Sequence, residues 1–330
     1  MTLMRQEASE SGLRIEQQLR ENAALYQTIA QQIRQFDPAF VYIVGRGTSD
    51  HAGVFARYLI EVELGVVVAA AAPSVASLFG QQLKLQRALV LLISQSGRSE
   101  DLLAQARAAR QSGALVVALV NDISSPLAAL ADYAIPLLAG PEKAVAATKS
   151  YLCTLSALLS LVAHWKQDRQ LLTALQQLPQ QLLQILNQPA QLQAEQVQAL
   201  RHSVVLGRAF GYAIAREIAL KIKEVCGIQA EAFSSAEFLH GPISLLNQPL
   251  TLLDVDLSDE TMAAHQAQVA EVQRRGGKVL HLVPGLSAVH PRLQPLLLMQ
   301  RFYLDIEAVA LAMGKNPDAP VGLNKVTITR

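Results

Sequence analysis

Phe40-Val41-Tyr42-Ile43-Val44-Gly45-Arg46-Gly47-Thr48-Ser49 has the pattern of a buried strand running into a helix. Five consecutive apolar residues run into two glycines and two hydroxyl side chains. A run that is apolar at every position, rather than at every second one, is the pattern of a strand covered on both faces in a parallel sheet. The glycines then allow a tight turn with close backbone approach, and Thr48 and Ser49 suit the start of a helix. In an open sheet of such strand–turn–helix units, ligands bind beyond the carboxyl ends of the strands. An ordinary capped turn reads the same way, so the segment alone fixes the fold better than it fixes a site.

Working outward, residues 66–71, 88–93, 115–120 and 133–137 repeat the nearly continuous apolar pattern, with enough chain between several of them for crossover helices. Residues 1–35 are polar and rich in Glu and Gln, with Leu13, Ile15, Leu19 and Leu25 at loose helical spacing, and predict a helical segment. Residues 158–200, rich in Leu and Gln, predict a helical connector. The first theme then returns. Residues 204–206 form another apolar run ending in Gly207, followed by Gly211 and a helix pattern over 212–225. Further strands are expected at 250–255 and 279–283, and a strongly apolar helix over 291–313. The strand–glycine–helix openings at Gly45 and Gly207 lie about half a chain apart, which predicts two copies of one α/β domain. The expected organisation is a helical segment over 1–35, a first domain with its connector over 36–180, a second over 181–315, and a C-terminal tail over 316–330.

A chain of 330 residues suits two cores better than one. Half of it is hydrophobic and only 17% charged, which excludes disorder as a general description. The net charge of +1 supplies no field to attract nucleic acid or an anionic membrane, so any bound anion has to be held by local chemistry. Cys153 and Cys226 stand in apolar helical patterns without ligand spacing, which argues against a disulfide framework or zinc site and for a reducing compartment. Residues 1–10 lack the apolar run of a signal peptide, and the apolar stretches 65–72 and 151–163 are too short or too interrupted to span a bilayer. The expectation is a cytoplasmic protein.

Four segments carry chemistry. The first is Gly45 to Ser49, where Thr48 and Ser49 offer hydroxyls. The second is Ser94-Gln95-Ser96-Gly97-Arg98-Ser99, after the 88–93 strand, where hydroxyls and an amide crowd a strand-to-helix junction. A helix N-terminus presents unpaired N–H groups and partial positive charge, so this segment reads as a phosphate cradle without a lysine; it lacks the Gly-Lys-Ser/Thr of a nucleotide loop. The third is Glu217 to Pro242. Lys221 and Glu224, three apart, share one helix face, and His240-Gly-Pro follows in a turn. A solvated salt bridge is the plain reading of Lys221 and Glu224 by themselves; the apolar helix around them favours an acid–base pair. The fourth is the tail, where Lys325 stands among apolar Leu323, Val326 and Ile328. It reads either as a frayed terminus or as a segment closing on a site.

Gly45-x-Gly47-Thr48-Ser49, Ser94-Gln95-Ser96-Gly97-x-Ser99, Val145-Ala-Ala147-Thr148-Lys149 and Ala219-Leu-Lys221-x-Lys-Glu224, with Glu237-x-x-His240-Gly-Pro242, together resemble the sugar isomerase (SIS) domain family. Within it the chain is most similar to the isomerase half of the glucosamine-6-phosphate synthases, over nearly its whole length. The resemblance implies two tandem SIS domains, each a parallel sheet flanked by helices. It implies that Ser94, Gln95, Ser96 and Ser99 bind phosphate, and that Thr48, Ser49, Val145 and Ala147 lie near the sugar, although the family often has Ser at the Ala147 position. It implies that Glu224 moves a proton between C1 and C2 with help from Lys221. It implies that His240 opens the sugar ring from the neighbouring subunit of a homodimer, and that Lys325 can form a Schiff base with the ketose. No metal or organic cofactor is implied.

The departures bear on the reaction. No cysteine precedes Cys153, so the glutaminase domain that would deliver ammonia is not expected. Pro320-Val-Gly-Leu replaces the usual Pro-Arg-Asn-Leu, and Arg98 stands where the synthases usually carry an acid. The Ser-Gln-Ser-Gly-Arg-Ser loop is similar to that of stand-alone SIS-type deaminases and deglycases. The resemblance thus implies release rather than synthesis: glucosamine 6-phosphate and water giving fructose 6-phosphate and ammonia. A fructosamine-phosphate deglycase, a plain sugar-phosphate isomerase and a sugar-phosphate-sensing module are the alternatives. Residues 1–35 are too short and too little basic for the DNA-binding segment a transcriptional sensor would add.

Overall fold

The computed structural model describes residues 1–198, 200 and 202–325. By internal packing these fall into two compact units, each built on one parallel sheet. Residues 13–141 and 150–176 make the first-sheet unit. Residues 1–12, 142–149 and the described part of 177–325 make the second-sheet unit.

The first sheet holds β1 (Phe40–Val44), β2 (Val68–Ala70), β3 (Ala88–Ser94), β4 (Leu115–Val120) and β5 (Tyr133–Pro136), in the order β2-β1-β3-β4-β5. All pairings are parallel. Every residue of β3 is buried, as its unbroken apolar run requires of a central strand. Val90, Leu92, Val116 and Ala118 pack with Leu102, Leu103 and Ala106 of the helix Glu100–Gln111. From β1 the chain crosses one way to β2 and the other way to β3. The topological switch point therefore lies between the carboxyl ends of β1 and β3, where open α/β sheets take their ligands. Val44 stands beside Leu92 in the register, so residues 45–49 and 94–99 emerge from neighbouring strands. Gln18 and Asn22 satisfy backbone carbonyls at Leu137, Cys153 and Pro136, which ties the preceding helix to this unit.

The second sheet holds β6 (His202–Gly207), β7 (Gln229–Ser234), β8 (Thr251–Val255) and β9 (Lys278–Leu282), in the order β7-β6-β8-β9, again all parallel. Val204, Leu206, Leu250 and Leu252 pack with Phe238 and Val272. The helix Gln294–Ala312 is buried at most of its positions, which accounts for its unusually apolar sequence. Gly207 is dictated by packing. A Cβ there would lie 2.4 Å from the backbone of Gly211 at the start of the next helix.

The α/β class with two parallel sheets is as the sequence implies, and the local differences have physical causes. β7 escapes the apolar pattern because it is an edge strand that exposes Gln229 and Glu231. β2, an edge strand of the first sheet, is three residues long rather than six. The helix expected over 212–225 runs as Phe210–Lys221 and then widens into a π turn, Ile222–Cys226. The connector consists of helices Lys149–Lys166, Arg169–Ile185 and Ala194–Gln198, so it begins before residue 158. Of the expected tail, residues 316–325 are described, and Val326 and Ile328 lie outside the described residues. No helix among the described residues is long and apolar enough to cross a membrane.

Candidate functional site

In the first-sheet unit the loop after β3 is shaped by its own hydroxyls. Ser94 Oγ accepts from Gly97 N at 3.0 Å, and Ser96 Oγ accepts from Arg98 N at 3.4 Å. Gly97 has φ of 63°, and a Cβ there would lie 2.2 Å from Ser125 Oγ, so only glycine closes this turn. Backbone bonds from Asn121 N to Gln95 O and from Leu127 N to Gly97 O hold the loop against the segment after β4. Ser99 is the N-cap of the helix Glu100–Gln111, yet its side chain makes no capping bond. Its hydroxyl and the first helical N–H groups are the donors an oxyanion needs. Gln95, Ser96 and Ser99 are partly exposed. On β1, Gly45 is required because a Cβ would meet the backbone of Ser49 at 2.9 Å, and Thr48 and Ser49 begin the helix Thr48–Leu64. The structure thus brings Thr48, Ser49, Ser94, Gln95, Ser96 and Ser99 to the switch point of one sheet.

The second-sheet unit holds the acid–base cluster. Lys221 is wholly buried, with its Nζ 3.3 Å from Glu217 Oε1 and 2.5 Å from Glu224 Oε2. Burial alone would push this lysine down. The carboxylates of Glu217 and Glu224 outweigh that and raise it above its ordinary value, so the ammonium stays charged. The two carboxylates differ in access: Glu217 has a side-chain exposure of 0%, Glu224 of 21%. Tyr303 Oη donates to Glu217 at 3.4 Å. Glu217 is therefore the internal counter-charge, and Glu224, carried on the π turn, is the carboxylate with an approach from outside. π turns inside helices are frequent at functional sites. The sequence contained the signal for Glu217, an i,i+4 carboxylate to Lys221 on an apolar helix, but Lys221 with Glu224 accounted for the chemistry without it.

Residues 142–149 and the tail meet in this same unit. Lys325 Nζ donates to Ala144 O at 2.7 Å and to Glu142 Oε2 at 3.2 Å, and Glu142 also accepts from Thr148 N. Val145 N donates to Asp318 O, while Asp318 accepts from Leu3 N and Met4 N at the start of the first helix. Glu7 accepts from Lys143 N and Ala144 N, and the buried Lys149 pairs with Glu10. Ala144 and Ala146 are buried while Val145 and Ala147 are partly exposed, so the loop turns those two side chains outward. Glu142, which orders both loop and tail lysine, carried no distinguishing spacing in the sequence. His240 is exposed, and its side chain makes no hydrogen bond or ion pair with a described residue; the structure does not join it to Glu224.

Asp254, Asp256 and His281 are described residues whose side chains are placed to hold a metal ion, their ligand atoms lying within 4.8 Å of one another. Both oxygens of Asp254 are instead taken, by His265 Nε2 at 2.6 Å and His281 Nδ1 at 2.8 Å. The group is closed on itself.

Two parallel sheets flanked by helices place the chain among the open α/β proteins. More narrowly, it belongs to the SIS domain family, whose model matches residues 37–164 and 198–284. The chain is 32% identical over 313 residues to a glutamine–fructose-6-phosphate aminotransferase (isomerizing) of Zymomonas mobilis, covering 86% of this chain and 51% of that protein. It thus spans about half the length of the curated relatives it matches. Among solved structures, a protein of Silicibacter pomeroyi described as a candidate phosphosugar isomerase superposes with a TM-score of 0.90 at 36% identity, covering 96% of this chain and 100% of that one. The C-terminal domain of glucosamine-fructose-6-phosphate aminotransferase from Francisella tularensis gives 0.84 at 25% identity, covering 97% and 98%.

Proposed function

We propose that the chain is a sugar-phosphate aldose–ketose isomerase that acts as an amino-sugar phosphate deaminase, converting glucosamine 6-phosphate and water to fructose 6-phosphate and ammonia. The observation that carries this reading is the pairing of a fully buried, charged Lys221 with the more accessible Glu224. Proton transfer between adjacent carbons needs one carboxylate that can take and return a proton, and a fixed cation to stabilise the charge that develops meanwhile. The hydroxyl loop 94–99 would take the phosphate.

In this reading the ring opens with help from His240, and Glu224 takes the proton from C2 of the open aldose. The C2–H pair becomes the C1–C2 double bond of an enolamine while the carbonyl oxygen at C1 gains a proton. Lys221 steadies that charge. Glu224 returns its proton to C1, giving the imine of the ketose at C2. Water adds to the imine carbon, the C–N bond breaks, and nitrogen leaves as ammonia. In this reading Lys325, which donates to Glu142 and Ala144 beside the 142–149 loop, is the amine that would handle the ketose carbonyl. In the same reading the chain forms a homodimer in which the exposed His240 serves the neighbouring subunit's site.

The test is to incubate the pure protein with glucosamine 6-phosphate and follow ammonia and fructose 6-phosphate together. Equal amounts of both support the reading. Ketose without ammonia from the corresponding non-amino sugar phosphate would leave an isomerase, and amino-acid release from a phosphorylated fructosamine would leave a deglycase.

A further inference from the structure

Arg46 follows Gly45 at the end of β1, on the switch point of the first sheet. Its Nε donates to Asp101 Oδ2 at 2.8 Å. Asp101 is the second residue of the helix Glu100–Gln111, and its side chain is only 1% exposed, whereas that of Arg46 is 49% exposed. The other oxygen of Asp101 accepts from Leu102 N at 2.9 Å. A buried carboxylate thus grips the guanidinium by its inner nitrogen. The two Nη groups make no hydrogen bond or ion pair with a described residue, and they form the two-pronged end that matches phosphate oxygens.

Arg98, which lies on the phosphate loop itself, is disposed differently. Its terminal Nη2 donates to Asp122 at 2.7 Å, and that carboxylate is held below its ordinary range by the Ser124 hydroxyl and by Arg98. One prong of its fork is thus already engaged. Apart from Arg98, whose Nη2 is spent on Asp122, the donors of the loop 94–99 are neutral hydroxyls, an amide and backbone N–H groups, so a phosphate dianion bound there would gain from a further cation. β1 and β3 are hydrogen-bonded neighbours, with Val44 beside Leu92, so the cation on one strand end stands next to the cradle on the other.

We propose that Arg46 is a substrate-binding residue that contacts the phosphate group and sets specificity for a dianionic phosphate monoester. The proposal rests on the reading of residues 94–99 as the phosphate cradle. Anchoring through Asp101 holds the guanidinium in place before substrate arrives, so little side-chain freedom is lost on binding.

The test is calorimetric titration with inorganic phosphate and with glucosamine 6-phosphate, for wild type, Arg46→Ala, Arg46→Lys, Arg98→Ala and the double variant Arg46→Ala/Asp101→Asn. Losing a charge-assisted pair weakens binding about 10- to 100-fold. That loss is expected for both ligands in Arg46→Ala, with partial recovery in Arg46→Lys and a smaller change in Arg98→Ala, whose Nη2 is spent on Asp122. In turnover, KM should rise with kcat nearly kept. Arg46→Ala leaves the buried Asp101 unpaired and can destabilise the fold, so the double variant, which removes both charges, separates binding from stability. Near-normal phosphate affinity in a folded double variant overturns the assignment. Where Ser96→Ala and Ser99→Ala weaken phosphate binding while the Arg46 variants do not, the cradle stands and Arg46 falls. Where wild type itself shows no affinity for phosphate, both fall together.

Discussion

Replacing Lys221 by Met removes the cation paired with Glu217 while keeping the apolar bulk of the stem. The charge separation of 3.3 Å corresponds to about 5 kcal/mol of attraction at an effective dielectric of about 20. The variant need not lose all of that, because the buried carboxylate, still bonded to Tyr303, can take a proton instead. Protonating a glutamic acid of ordinary pKa about 4.3 at pH 7 costs roughly 1.4 kcal/mol per unit, or about 4 kcal/mol. The expected loss is therefore about 3–4 kcal/mol at pH 7, within the range for breaking one side of a buried ion pair. Its pH dependence follows from the same reasoning. In the variant the folded state holds a proton on Glu217 that the unfolded state releases, so stability falls as pH rises through the ordinary carboxylate value. The deficit should shrink to about 1 kcal/mol at pH 5. Urea unfolding at pH 5, 6 and 7 reads this directly, and Glu217→Gln/Lys221→Met should recover most of the loss. A deficit below about 1 kcal/mol at pH 7, or one that does not change between pH 5 and 7, would refute the idea that Lys221 and Glu217 form a buried charge pair.

Ser96→Ala and Ser99→Ala should each weaken binding of glucosamine 6-phosphate by ~1–2 kcal/mol, measured by titration, because each removes one proposed hydroxyl donor to phosphate; Ser99→Ala costs no capping bond, whereas Ser96→Ala also removes the acceptor of the Arg98 N–H. The shared-site dimer is tested by complementation. Mixing inactive Glu224→Gln with inactive His240→Asn under subunit exchange gives mixed dimers with one doubly damaged and one intact pocket, so activity should return toward half of wild type per mixed dimer. Proven exchange without any return of activity would mean that His240 serves its own chain.

Much of the fold was legible because parallel strands buried on both faces are apolar at every position. β1, β3 and β4 announce themselves in this way, and Gly45 and Gly207 mark the helix starts that sterics leave to glycine. What escaped was polar or local. β7 alternates Gln229 and Glu231 toward solvent at a sheet edge, and its identity depends on hydrogen bonds to β6 that no pattern within the segment reveals. The π turn at Ile222–Cys226 is a one-residue widening of a helix, below the resolution of any periodicity argument. At the candidate site, the glycines, hydroxyls and the Lys221–Glu224 spacing stood in the sequence. Glu142 and its hold on Lys325 did not, because a bond between residues 183 positions apart comes from tertiary packing alone.

The central claim is that Glu224 carries the proton between C2 and C1 of the sugar. Steady-state turnover and substrate affinity of Glu224→Gln on glucosamine 6-phosphate test it most directly. The amide keeps the shape and a hydrogen-bonding oxygen toward Lys221 but cannot act as a base. A fall in kcat of about 10²–10⁴ is expected with binding of substrate little changed, the signature of a lost general base. A Glu224→Gln variant that turns over at near-normal rate would contradict it, and would leave Lys221 and Glu224 as a salt bridge and nothing more.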